Sequence, residues 1–134
     1  MDFYCDAQIP ISVIQGLDII ESSESNERRH RVLSTAMQFG DNIKDVDLYP
    51  KLVEVNGILI THDLKMVTRA NEFALLKELE LTAFIISLPN NASYSIQENA
   101  IVNRWFEIKK IFQEHKHKMP FICRITSGGF KFLE

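Results

Sequence analysis

The sequence predicts an α/β fold on a mainly parallel central sheet, and three observations predict it. Short unbroken apolar runs, Phe3-Tyr4-Cys5 and Ile58-Leu59-Ile60, end abruptly at a carboxylate, Asp6 in the first case and Asp63 just beyond the second. Such runs read as strands buried on both faces, as in a parallel sheet. Between the runs lie segments with apolar residues three and four apart, the pattern of helices covering a sheet. The chain closes on two apolar runs around Gly128-Gly129, the pattern of a terminal β-hairpin.

The elements follow in order. Residues 2–6 form the first strand, and Pro10 opens a helix with Ile11, Ile14 and Leu17 on one face. Residues 21–29 are polar and read as an exposed loop, and Val32 and Leu33 sit in a second short strand. Residues 40–44 are a turn-rich link. A helix with Leu48, Leu52 and Val55 at helical spacing comes next, with Asp45 or Asp47 as N-cap and Pro50 expected in its first turn. A strand at 57–61, a helix at 64–79 facing inward through Met66, Ala70, Phe73 and Leu76, and a strand at 82–88 complete the middle of the chain. Ser95-Ile96-Gln97-Glu98 has capping-box form and starts a helix whose Ile101, Trp105, Ile108 and Phe112 turn inward. Residues 121–125 and 130–133 are the hairpin strands.

The chain's 134 residues fit one domain, 1–134, and 46% hydrophobic content suffices for a core. A formal net charge of -3 argues against binding nucleic acid by bulk charge, though not against a basic rim around an acidic metal centre. Met1-Asp2-Phe3-Tyr4 lacks the basic and apolar regions of a secretory leader, and no apolar run approaches the ~20 residues that cross a bilayer. A cytoplasmic protein with no membrane partner is expected, with Cys5 and Cys123 as free buried thiols.

The acids carry the chemistry. Ligands in open α/β sheets sit at the carboxyl ends of the strands. Asp6 and Asp63 stand just past buried strands, and Asp45 and Asp47 stand at a helix start. Helix N-termini and strand carboxyl ends share one rim, so these carboxylates can converge on one divalent cation such as Mg2+. The alternative is that Asp45 and Asp47 are caps and Asp6 and Asp63 strand terminators. Thr61, His62 and Lys65 are supporting candidates: Thr61 to hydrogen-bond an acid or water, His62 on the other side of the strand, Lys65 to reach a phosphate. Each also has a plain structural explanation, as a strand-forming residue, a packed histidine and a solvated lysine. Arg28, Arg29 and Arg31 are the candidate nucleic-acid contacts, whereas the cluster Lys109, Lys110, His115, Lys116, His117 and Lys118 reads as facing water. His115 and His117 do not share a helical face, which argues against zinc. Trp105 reads as core.

At these residues the chain resembles a known family. Asp6-Ala7-Gln8-Ile9-Pro10 resembles the opening of PIN-like ribonuclease domains, Asp45-Val46-Asp47-Leu48 their central acidic helix start, and Ile58-Leu59-Ile60-Thr61-His62-Asp63 their strand ending Thr-x-Asp. The tail from Pro120 to Gly129 is similar to the close of the VapC45-like toxin branch. The resemblance implies a PIN-like three-layer sandwich and a Mg2+- or Mn2+-dependent endoribonuclease, the toxin half of a toxin–antitoxin pair. Asp6, Asp45 and Asp63 would be the catalytic metal ligands, with Asp47 auxiliary. RNA and a small cognate antitoxin are the implied partners, and homodimer formation is left open. Many PIN domains carry a further acid after the fourth strand, whereas Pro89-Asn90-Asn91 has no carboxylate there. Two other readings stand beside this one: a catalytically weak PIN-like module that binds RNA or a partner, and a receiver-like signalling domain. Receivers carry paired acids after strand one; here Ala7 and Gln8 follow Asp6.

Overall fold

The computed structural model describes residues 1–23, 30–62, 69–87 and 93–133. The elements are β1 (Asp2–Cys5), α1 (Ile11–Ser23), β2 (Arg31–Ser34), α2 (Thr35–Phe39), α3 (Asp45–Glu54), β3 (Ile58–Thr61), α4 (Ala70–Glu78), β4 (Ala83–Ile86), α5 (Tyr94–His115), a 3-10 turn (Lys116–Lys118), β5 (Ile122–Thr126) and β6 (Gly129–Leu133). Among the described residues six strands form one sheet in the order β2-β1-β3-β4-β5-β6. The first five are parallel, and β6 returns antiparallel to β5. The expected α/β class, parallel sheet and closing hairpin are therefore present.

Strand alternation sorts the core into two layers. Phe3, Cys5, Ile58, Ile60, Phe84, Ile86 and Cys123 face α1 and α5, whose Val13, Ile14, Leu17, Ile101, Trp105 and Ile108 complete that layer. Tyr4, Leu59, Ala83, Ile85 and Ile122 face the other side, against Leu48, Tyr49 and Leu52 of α3 and Leu76 of α4. Cys5 and Cys123 are free and buried on the same face. Three strand spacings of about 4.8 Å separate them, too far for a disulfide. Burial, and for Cys5 the nearby Asp6 charge, pushes the Cys5 thiol up to about 12; burial takes Cys123 to about 12 as well. Both thiols are therefore unreactive at neutral pH.

Local chemistry explains the links. Asn56 (φ 55°) and Gly57 turn the chain from α3 into β3, and a Cβ on Gly57 would stand 2.6 Å from the Tyr4 ring, so only glycine fits. Gly129 (φ 137°) closes the hairpin, as the glycine pair predicts.

Several expectations are corrected. Ile11 and Val55 are each 45% exposed: the buried face of α1 is Val13, Ile14, Leu17 and Glu21, and Val55 is the C-cap of α3. Pro50 lies inside α3 and not in its first turn. It has no N–H to give the Val46 carbonyl, and Val46 and Pro50 are both exposed. The N-cap of α5 is Ser93, whose Oγ accepts from the Ile96 N–H; Ser95 lies inside the helix. Ala70 is exposed in α4, and Met66 lies outside the described residues. Glu21 belongs to the last turn of α1 and is buried, not looped out. It accepts from Trp105 Nε1 at 2.9 Å and pairs with Lys109 Nζ at 2.7 Å, so Lys109 turns inward from the basic cluster.

Candidate active site

Among the described strands the sheet order sets a topological switch point beside β1. From β1 the chain passes through α1 to β2 on one side, then returns through α2 and α3 to β3 on the other side of β1. The carboxyl ends of β1 and β3 thus flank the topological switch point, where α/β sheets open to ligands. Asp6 lies directly at this point. Its N–H donates to the Ile60 carbonyl at 2.9 Å, extending the β1–β3 ladder by one residue. Its carboxylate accepts from the Gln8 N–H at Oδ1 (3.2 Å) and from the Thr61 hydroxyl at Oδ2 (2.7 Å). Thr61 is fully buried, so its hydroxyl fixes the orientation of the half-exposed carboxylate. The Thr61–Asp6 hydrogen bond is the one the sequence suggested.

Asp45 reaches the same rim by a different route. The sequence α3-Asn56-Gly57-β3 makes the helix run back along the sheet, with its N-terminus at the strands' carboxyl ends. Its 10 residues span about 15 Å and the four of β3 about 13 Å, so the two ends match. Because α3 packs on the Tyr4 and Leu59 face, its start lies on the side to which strand alternation turns Thr61. Asp45 is the first helical residue and half-buried; Asp47 is exposed two positions on. Neither is the N-cap, which is Lys44 without a side-chain cap bond. Both carboxylates sit in the first turn, where the helix dipole favours negative charge.

His62 follows β3 and is half-buried. Asp63, Lys65, Arg28 and Arg29 lie outside the described residues. No group of three or more His, Cys, Asp or Glu suited to a metal ion occurs among the described residues, so Asp6, Asp45 and Asp47 do not make such a group by themselves; the fourth expected ligand, Asp63, lies outside the described residues. In kind, the donors fit a hard cation. Asp6 and Asp45 offer carboxylate oxygens, and Thr61 orients one of them from behind.

The structure does not bring Arg31 to this rim. Arg31 opens β2 in register with Asp2, about 10 Å of strand from the carboxyl end. It is engaged there by Asp18, Nε to Oδ1 at 3.1 Å and Nη2 to Oδ2 at 3.1 Å, and so is unsuited to offset charge beside Asp6. Burial alone would raise the Asp18 carboxyl. The Arg31 guanidinium and the Val32 N–H (2.9 Å) outweigh it and hold the carboxyl below its ordinary value. A carboxylate depressed in the folded state contributes stability above its unfolded pKa of about 3.9 and loses it as pH falls through the folded value. The gap in melting temperature between wild type and Asp18→Asn is therefore expected to shrink below about pH 4. A gap that is constant from neutral pH downward would contradict this.

A residue not singled out from the sequence also belongs to the rim. The registers Thr61↔Ile85 and Ile85↔Arg124 extend the Asp6–Thr61 row across β4 to β5. Arg124 is half-buried, and its Nε donates to Ser87 Oγ at 3.2 Å. Its signal was a single charge inside the apolar run Phe121-Ile122-Cys123-Arg124-Ile125.

A family model described as "PIN like domain" matches residues 1–88, from β1 to just past β4. No curated protein and no solved structure matches the chain.

Proposed function

Since this chain belongs to the PIN-like domain family, a class of nuclease-type modules that generally use divalent metals, we propose that it is a Mg2+- or Mn2+-dependent endoribonuclease acting on single-stranded RNA. The observation that carries the reading is the Asp6 carboxylate, held by Thr61 and Gln8 at the switch point of the sheet. Asp6, Asp45 and Asp63 would hold the ion, with Asp47 auxiliary. When bound, a divalent ion acidifies a water and offsets charge on the phosphate under attack. The chain's own share is orientation. Thr61 and the Gln8 N–H each occupy one oxygen of Asp6, and each oxygen keeps a further lone pair. Asp45 and Asp47 lie in the first turn of α3, where the helix dipole favours negative charge. His62 and Lys65 border the site in sequence and would support it, and Arg28 and Arg29 are proposed as RNA contacts.

Placement in the VapC45-like toxin branch, with a small antitoxin as partner, belongs to this proposal. So do a cytoplasmic location and a single domain running from 1 to 134. For the last, β5 lies beyond the matched segment and yet pairs with β4 along Ala83–Ile86. No helix among the described residues is long and apolar enough to cross a membrane.

One observation favours a second reading, a PIN-like module that binds RNA without cutting it: no carboxylate stands in Pro89-Asn90-Asn91. The order β2-β1-β3-β4-β5 is also the flavodoxin-like order found in receivers. Against a receiver stand the single acid after β1 and the arginine, not a lysine, that β5 carries. The test is incubation of end-labelled single-stranded RNA with Mn2+ and with EDTA. Fragments only in the Mn2+ arm support the nuclease; intact RNA in both arms, with the RNA still bound, supports the binding module.

A further inference from the structure

The carboxyl-rim row does not stop at Arg124. In the hairpin register Arg124 stands directly opposite Lys131. Alternation places both on the face shared by Ile122 and Leu133, the α3 side to which Thr61 also turns. Like charges opposite one another in an antiparallel pair are destabilising. Here they have no carboxylate between them: among the described residues neither Arg124 nor Lys131 has an acidic partner, whereas Arg31, Arg69, Arg104 and Lys109 each have one. Arg124 is oriented through Nε by Ser87, itself tied to β5 by its N–H to the Ile125 carbonyl at 2.9 Å. That leaves the two terminal amino groups of the guanidinium for a ligand. The two cations line an open pocket of about 310 Å³ with Thr126, Gly128, Gly129 and Phe130.

We propose that Arg124 and Lys131 form a phosphate subsite that holds the RNA strand as it crosses the sheet from Asp6. Four strand spacings of about 4.8 Å put Lys131 roughly 19 Å from Asp6, with Arg124 on the way at roughly 14 Å. Acids at one end of the row suit a cation and the scissile phosphate. Cations at the other end suit phosphates farther along the same strand, and the fork of Arg124 matches a phosphate bidentately. The contacts are to backbone, so they fix where the strand lies without reading its sequence. The proposal takes its ligand from the nuclease reading and its geometry from the sheet.

The test is binding of a fluorescent single-stranded RNA in EDTA, followed by anisotropy at several salt concentrations. It uses wild type, Arg124→Gln, Lys131→Gln, the double variant and Lys51→Gln as an exposed control near the opposite rim. Each subsite substitution is expected to weaken binding several-fold and to lower the salt slope by about 0.7, the double variant by about twice that. Lys51→Gln should match wild type. Melting temperatures of the subsite variants should equal or exceed that of wild type, because a like-charge pair is relieved. An unchanged affinity and slope in the double variant, or no RNA binding by wild type, would overturn the subsite. The cleavage assay separates the two ideas. RNA held through Arg124 and Lys131 but never cut would remove the nuclease and leave the subsite. RNA cut equally well by wild type and the double variant, with equal affinity, would do the reverse.

Discussion

Asp6→Asn is expected to lower Mn2+-dependent RNA cleavage by well over 100-fold while leaving the fold intact. Loss of a residue that only supports a metal ligand costs about 10–100-fold, and Asp6 is proposed as a ligand itself. The amide keeps one oxygen to accept from Gln8 or Thr61, and its backbone N–H still donates to Ile60. Removing one of several carboxylates from the rim also relieves repulsion in the metal-free protein, so the melting temperature should hold or rise slightly. Cleavage is read with labelled RNA and folding by circular dichroism on the same preparation. A folded Asp6→Asn protein that cuts RNA at the wild-type rate would remove Asp6 from the chemistry.

The largest effect on stability is expected far from the site, at Glu21. Its carboxylate is buried between Trp105 Nε1 and Lys109 Nζ, with side-chain exposures of 4% for Glu21 and 16% for Lys109. Glu21→Ala leaves a largely buried ammonium and an indole N–H without their partner, in a layer formed by Phe3, Trp105 and Phe112 packed edge to face. Removing one member of a buried ion pair costs about 3–5 kcal/mol. That is a large part of the total for a domain of this size, about 5–15 kcal/mol. Urea denaturation measures it, and the double variant Glu21→Ala/Lys109→Met should regain part of the loss because no charge is left stranded. A Glu21→Ala protein within ~1 kcal/mol of wild type would show that the pair is solvated in solution.

These residues show what is legible in a sequence of this kind. The strands were legible because a strand buried on both faces is mostly apolar, as residues 58–60 and Ala83–Ile86 are. The five-residue α2 was not, since Thr35–Phe39 is too short to show a helical period and continues directly from β2. Two serines two apart, Ser93 and Ser95, made the start of α5 ambiguous, and only the backbone decides which one accepts from N3. Glu21 sits in a polar run, Glu21-Ser22-Ser23, and its partners are some 84 and 88 positions away, so nothing local marks it as buried. Within the site, Asp6 and its tie to Thr61 were legible because both mark strand ends, and strand ends define the rim. The Arg124–Lys131 pair emerges only once the hairpin register is known, because register decides which charges face each other. Arg31 shows the converse: a basic residue picked from a cluster in sequence opens a strand in space, and its end of β2 is the one away from Asp6.

If Asp6 helps to bind a divalent ion in the folded protein, thermal unfolding with added Mn2+ will report it when wild type and Asp6→Asn are melted side by side. At about 100 times its dissociation constant a ligand confined to the folded state stabilises by ~2.7 kcal/mol, or roughly 10 °C in melting temperature for a chain of this length. A rise of that order in wild type that is lost in Asp6→Asn is the predicted result. A wild-type melting curve indifferent to Mn2+, or an equal rise in both proteins, would contradict it.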